Sequence, residues 1–231
     1  MKKQTLPLFL WLVVPVLMIA GQIVMENTIH DKELLARLHS EGGPQETLQE
    51  YFIAAALLMA LYCLAKVDWA RQRLIAIVVV VATLGCVYIL GEEISWGQHK
   101  FGWSTPEFIA AVNDQNETNL HNTSAWLDQK PRLLLFIGIV IGGLVVPALE
   151  RWRPGRLPAK FRELYPSWTV SVAALGVLLP YVIEEIFEHV IGRRLFTRMS
   201  EVQEAYMYYF IFLYLLDLYR REISKKKVDK I

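Results

Sequence analysis

The sequence predicts an all-α fold, a polytopic membrane helix bundle of six transmembrane helices with the N and C termini cytoplasmic. The first observation behind this is composition: 54% of the 231 residues are apolar and the mean hydropathy is +0.31, above the usual value for a soluble domain. Second, the apolar residues are concentrated in six runs, without the strict alternation of a membrane β-barrel. Third, Lys and Arg are concentrated in alternate connections between these runs.

Six apolar runs set the predicted helices. A helix crosses the hydrocarbon core with about 20 mostly apolar residues, and it satisfies its own backbone hydrogen bonds in lipid. The first run follows Lys2 and Lys3 and is longer than the apolar core of a signal peptide, so an uncleaved helix is expected. The runs form a single transmembrane domain over residues 1–231, with helices expected at about 6–25, 48–66, 74–91, 133–149, 168–186 and 205–219.

The distribution of Lys and Arg predicts the orientation of these helices. Four alternate connections hold sixteen of the 24 Lys and Arg residues, but only six of the 23 Asp and Glu residues when Asp217 is included. Cytoplasmic connections carry such an excess, which predicts a multi-pass membrane protein with both termini in the cytoplasm. On the acidic outer side, Arg193, Arg194 and Arg198 are expected to pair with nearby glutamates. The basic connections are residues 1–5, 66–73, 150–167 and 220–231.

The cysteines and the pattern of basic residues argue against two kinds of site. Cys63 and Cys86 fall in different predicted helices at depths that differ by about 14 Å, which is too far for a disulfide. We therefore expect two buried free thiols, and no CxxC or Cys/His zinc pattern occurs in the sequence. No basic patch is interleaved with aromatic residues, so no nucleic-acid partner is expected.

The end of the third predicted helix carries the first candidate site residues. It reads GEEISWGQH over residues 91–99, and two adjacent acids end an otherwise uncharged run. Carboxylates near a bilayer are costly unless they are paired, hydrated or bound to a cation. A continued helix would place Glu92, Ser95 and His99 on one face, unless Gly97 ends it first. The alternative is that the acids only mark the water interface. The predicted roles are metal ligand for Glu92, general base for Glu93, and substrate contact for Trp96 and His99.

An extracytoplasmic motif loop, residues 92–130, follows this helix. Long loops rich in Asn, Gln, Trp and Gly are more often functional than mere connectors. Alternate residues of an extended chain face the same side, so a row in this loop could supply metal ligands or bind a polar head group. A hydrated turn is the alternative. The candidate metal ligand is His121, and the candidate substrate-binding residues are Gln115, Glu117, Asn119 and Asn122.

The end of the fifth predicted helix holds the densest group of ionisable residues. Glu185 and His189 lie one turn apart, and Glu and His at helix ends can bind Zn, Fe or Mn. The spacing is neither HExxH nor the ExxH of di-iron bundles, so a hydrogen-bonded structural pair is the alternative. We predict a divalent metal held by Glu92, Glu185, His189 and His121, with Glu184 as a second candidate base.

The strings EEISWGQ (residues 92–98) and NLHN (residues 119–122), with the later Glu184-Glu185 helix, resemble a family of uncharacterised bacterial polytopic inner-membrane proteins. The resemblance covers the third to the fifth helix, and it implies importance for these residues without implying a reaction. A looser similarity is to membrane hydrolases of the alkaline-ceramidase type, which carry a zinc site on helix ends. Those enzymes have seven helices and a His-x-x-x-His pair, so this likeness is an analogy only.

Two functions are consistent with these sequence features. One is a membrane-embedded, metal-dependent hydrolase or transferase that acts on a lipid or lipid-linked substrate at the extracytoplasmic leaflet, where the metal activates water or polarises an ester. The other is a non-enzymatic sensor, binding or transport protein with an acidic outer vestibule, although no charged residue lies at mid-membrane to support transport. A purely structural network of ion pairs and hydrogen bonds is a third option. The sequence carries no signal for the oligomeric state.

Overall fold

The computed structural model describes residues 6–39, 42–113, 116–120 and 123–224, and every regular element in these ranges is helical. Four short helices lie at the bundle's periphery or within one long segment. The others are long and form the bundle. In chain order the α-helices are α1 (Val14–Thr28), α2 (Lys32–Leu38), α3 (Pro44–Lys66), α4 (Arg73–Glu93), α5 (Gln98–Phe101), α6 (Glu107–Ala110), α7 (Ala125–Val140), α8 (Val146–Trp152), α9 (Ser171–Ile191) and α10 (Met199–Leu218).

Prolines widen two of the long helical segments without interrupting them. A π turn at Phe9–Val13 leads into α1, and another at Ile141–Val145 joins α7 to α8. Pro15 and Pro147 each lie two residues after the end of the turn. Proline lacks an N–H group and its ring crowds the carbonyl four residues earlier, so the helix is relieved by a wider turn.

Five helical segments in the described chain are long and apolar enough to cross a membrane. They confirm a helical, multi-pass membrane protein; four of them contain predicted helices and the first overlaps the prediction for residues 6–25. The sixth prediction, residues 205–219, falls on α10, which is rich in tyrosine and is not among these five segments. The five segments are Phe9–Thr28, Pro44–Lys66, Arg73–Glu93, Gln129–Trp152 and Trp168–Ile191.

Helix α10 runs beside α3 in the same direction and over the same depth. Near the start of both helices, the Gln49 side chain donates to the Glu201 carbonyl at 2.9 Å. Near their ends, the Cys63 thiol lies 3.7 Å from the Leu215 carbonyl. Both contacts join residues 152 positions apart, and the 14 residues between them correspond to about 21 Å of helix.

Helices α1 and α9 pack antiparallel to α10, which places α10 at the centre of the bundle. Tyr206 and Tyr209 donate to the backbone carbonyls of Pro15 and Leu10 in the first segment. The sequence suggests lipid and helix packing for these tyrosines, and the structure places both rings in the protein core. A helix surrounded in this way can carry polar side chains, since neighbouring helices rather than lipid receive them.

The connections gather at two ends of the bundle. The basic end contains residues 66–73, 150–168 and 219–224, and there the fully buried Asp217 accepts hydrogen bonds from Ser167 and pairs with Arg221 at 2.8 Å. The acidic end contains the described residues of the segments 26–47, 92–130 and 184–204. The expected buried free thiols of Cys63 and Cys86 are confirmed.

Candidate functional site

A left-handed turn ends α4 at the acidic end. Ser95, Trp96 and Gly97 all have positive φ angles, of 45°, 54° and 95°, a conformation that stops a right-handed helix. The Trp96 ring folds back over Gly91, where a Cβ atom would lie 2.8 Å from the ring. The predicted alignment of Glu92, Ser95 and His99 on one helical face is therefore wrong, because the helix ends before Ser95.

Glu92 joins this turn to the far end of the motif loop. One of its carboxylate oxygens accepts the indole N–H of Trp96 at 2.9 Å, and the other accepts the backbone N–H of Leu120 at 2.7 Å. The side chain is buried. Glu92, a predicted metal ligand, thus joins two distant parts of the loop through hydrogen bonds to both of its carboxyl oxygens.

A buried polar network, here called the loop network, fills the inner side of the motif loop. The Glu117 carboxylate accepts from the Ser95 hydroxyl at 2.8 Å and from the Asn119 amide. The Asn113 amide donates to the Asn119 side chain and carbonyl at 2.9 and 3.0 Å, and its oxygen accepts the Glu117 backbone N–H. All four side chains are buried. Their mutual hydrogen bonds remove most of the cost of burial.

Gln98 connects two further parts of the loop by hydrogen bonds. Its amide donates to the Thr105 hydroxyl at 2.8 Å, and its oxygen accepts the Thr118 backbone N–H at 2.6 Å. Thr105 in turn donates to the Asn116 carbonyl. The described part of the motif loop is therefore an ordered structure with its own interior, and the hydrated-turn alternative does not apply to it.

A second group, the helix-end quartet, lies where three long helices meet. Tyr208 of α10 donates to the Glu93 carboxylate of α4 at 2.6 Å. Arg132 of α7 forms an ion pair with Glu204 of α10 at 2.6 Å. Tyr208 also lies within electrostatic range of both Glu204 and Arg132. The quartet therefore combines two carboxylates, a guanidinium and a phenol in one place.

The turn between α9 and α10 is held by two carboxylates, one from α9 itself and one from α1. One oxygen of Glu184, a predicted base, accepts the backbone N–H groups of Leu195 and Phe196 at 2.9 and 3.1 Å. Glu26 at the end of α1 accepts the next N–H, that of Thr197, at 3.1 Å, and it contacts the buried His39 at 3.0 Å. Three consecutive amides thus face two carboxylates.

The predicted metal ligands are not gathered within the described part of the chain. Glu185 and His189 contact each other at 3.6 Å on the surface of α9, with 57% and 74% of their side chains exposed, whereas Glu92 is buried in the turn after α4. No group of three His, Cys, Asp or Glu side chains placed to hold a metal occurs among the described residues. His121, the fourth predicted ligand, lies outside them.

The remaining predicted site residues divide between the loop network and undescribed positions. Trp96, Glu117 and Asn119 are part of the ordered loop. Gln115 and Asn122 lie outside the described residues, as does the side chain of His99. Arg194 and Arg198 pair with Glu188 and Glu201 at 3.6 and 3.8 Å, as expected for the arginines of this turn.

Sequence reasoning missed Tyr208 and Arg132. Tyr208 lies in a run of aromatic residues whose simplest interpretation is packing, and 115 positions separate it from Glu93. Arg132 carried a usable signal, because it is a basic residue at the start of an apolar run on the acidic side. A cation in that position requires an acidic partner if it is drawn into the bundle.

Comparison with known proteins found no matching family model, no similar curated protein and no similar solved structure. The resemblances carried by residues 92–98 and 119–122 therefore remain predictions.

Proposed function

We propose that this chain is a six-span protein of a bacterial inner membrane that acts on a lipid or lipid-linked substrate at the extracytoplasmic leaflet. Two observations support six spans: five segments have the required length and apolar character, and α10 lies beside α3 over about 21 Å of its length. The concentration of Lys and Arg at one end supports cytoplasmic termini and an extracytoplasmic acidic end.

The functional proposal is based on the helix-end quartet. Glu93 ends α4, Arg132 lies at the start of the segment Gln129–Trp152 and Glu204 lies in the second turn of α10, whereas Tyr208 reaches them from the middle of α10. For six spans, the three helix ends would lie near the depth of the lipid head groups. A guanidinium binds phosphate oxygens, and a carboxylate beside a phenol can accept and return a proton. About a third of the Arg132 side chain is exposed, so a head group could reach it without disruption of the helices.

The ordered loop network supports a second candidate function, recognition without catalysis. Glu92 and Glu117 use their carboxylates to fix the motif loop through backbone and side-chain donors. Such a rigid loop beside the quartet suits a binding or sensing protein, because preorganised polar groups lose little entropy when a ligand binds. In this case the quartet would select the head group and the substrate would leave unchanged.

Both candidate functions require the protein to bind lipid, so lipid retention by the full-length protein tests both. The protein is placed in nanodiscs of phosphatidylethanolamine, phosphatidylglycerol and cardiolipin, released, and examined by native mass spectrometry. We expect retained lipid in the wild type and a loss of at least tenfold in Arg132→Gln and Glu204→Gln, a change of about 1.4 kcal/mol or more. Glu185→Gln is the matched control, because this glutamate also lies near a helix end but is exposed. Equal retention in all variants would contradict the proposal.

Lipid analysis of the same nanodiscs separates the two candidates. An enzyme converts one of the three lipids over time, and Glu93→Gln should abolish the conversion while lipid is still retained. A binding protein retains lipid without any product. The metal-dependent form of the enzyme is a hypothesis that depends on His121, and elemental analysis of the purified protein for Zn, Fe and Mn tests it.

A further inference from the structure

The motif loop has its polar side chains inside and its aromatic side chains outside. Ser95 and Asn119 are 1% and 2% exposed. Phe101 and Phe108, on the short helices α5 and α6, are 79% and 75% exposed. Water favours the opposite arrangement, since apolar surface is driven inward and polar groups remain hydrated. Apolar side chains outside and polar side chains inside are the arrangement expected of a surface in contact with lipid.

The outward side chains are large and apolar, and they recur along the described part of the loop. Phe101 and Trp103 stack with their ring centroids 5.8 Å apart and their planes within 9°, so two of the rings are in contact. Isolated apolar residues on a surface are normal, but so many large ones exposed within one short segment indicate an interaction surface. The surface, here called the aromatic apron, consists of Trp96, Phe101, Trp103, Phe108, Val112, Leu120 and Trp126.

Both ends of the motif loop are attached to membrane-length helices. It leaves α4 at Glu93 and enters the span that begins at Gln129, so the apron starts and ends at the level of the bilayer surface. Lys100 lies within this segment and reaches Glu50 of α3 at 3.5 Å. A long cationic side chain with an apolar stem is typical of positions where a segment lies in the interface.

We propose that the aromatic apron is immersed in the head-group layer of the bilayer at the acidic end, with lipid as its partner. Aromatic side chains prefer this layer, and segments that lie in it bury an apolar face beneath a polar one. Here the polar groups are those of the loop network, which is buried inside the loop. The apron does not depend on the proposed activity, because an inactive protein with this loop would lie in the membrane in the same way.

Spin labels at single cysteines test this placement in the full chain reconstituted into liposomes. Phe101→Cys and Phe108→Cys carry the label on the apron, while the native thiols are buried and remain in place. Leu84→Cys, on the exposed face of α4, is the lipid reference, and Arg156→Cys, exposed between α8 and α9, is the water reference. Oxygen concentrates in lipid and a nickel chelate in water, so the ratio of the two accessibilities reports the surroundings of each label.

We expect an oxygen-to-nickel ratio at Phe101 and Phe108 that is several-fold higher than at Arg156 and below that at Leu84. A ratio equal to that at Arg156 would place the apron in water and overturn the proposal. Labels shielded from both reagents, with broadening between copies, would mean that a second copy covers the apron, and this also overturns it. As a second measurement, brominated phospholipid should quench less of the total tryptophan fluorescence in Trp103→Phe than in the wild type.

Discussion

The contact between Gly176 of α9 and Tyr206 of α10 gives the sharpest test of the bundle. A Cβ atom at position 176 would lie 2.1 and 2.2 Å from two ring carbons of Tyr206. The ring is buried and its hydroxyl donates to the Pro15 carbonyl, so it cannot move away cheaply. Overpacking costs about 1–3 kcal/mol and a lost hydrogen bond about 1 kcal/mol, so Gly176→Ala should destabilise the protein by about 2–4 kcal/mol.

Thermal unfolding of the detergent-purified protein measures this effect. For a chain of this size each kcal/mol corresponds to about 2–4 °C, so Tm should fall by about 4–16 °C. Gly138→Ala is the matched control, since nothing lies within 4 Å of its Cβ position, and its Tm should be unchanged or slightly higher because alanine favours helix. In a Tyr206→Ala background, Gly176→Ala should cost little more. Equal Tm values for the Gly176 and Gly138 variants would refute the central position of α10.

Three further predictions concern the acidic end and the orientation of the chain. Asn119→Ala removes donors from the loop network, so it should cost about 1–3 kcal/mol and increase protease cleavage of the motif loop in limited proteolysis; unchanged cleavage would contradict the network. In intact cells, a membrane-impermeant maleimide should label Glu185→Cys but should label Arg156→Cys only after permeabilisation, and the reverse pattern would invert the proposed topology. Glu184→Gln should keep a Tm near that of the wild type, whereas Glu184→Ala should lower it, as measured by thermal unfolding.

The sequence predicts that the helices exist. It does not predict at which residues they start or stop on the acidic side of the bundle. The first helix was expected to end at residue 25 and continues to Thr28. The fifth was expected to end at residue 186 and continues to Ile191. The sixth was expected from residue 205 and begins at Met199. Hydropathy marks where the hydrocarbon stops, whereas backbone hydrogen bonds continue the helix through polar residues beyond it.

The candidate site was only partly accessible to sequence reasoning. Acids at the end of an apolar run pointed to Glu92 and Glu93, and the structure shows both with specific hydrogen-bond partners. Their roles as metal ligand and general base stay predictions. The partners themselves depend on tertiary packing. Tyr208 reaches Glu93 from the neighbouring helix α10. Leu120 reaches Glu92 across a loop that begins with three consecutive residues of positive φ. Neither contact follows from periodicity or composition.

Glu184 shows how a structural carboxylate can be distinguished from a catalytic one. One oxygen accepts two backbone N–H groups of the turn before α10, and the oxygen of a glutamine amide could accept both in the same place. A role in holding the turn therefore survives Glu184→Gln and is lost in Glu184→Ala. The other oxygen is buried and has no hydrogen-bond partner among the described residues. If Glu184→Gln were as harmful as Glu184→Ala, the negative charge itself would be required, and the turn would be the place to look for a bound cation or a transferred proton.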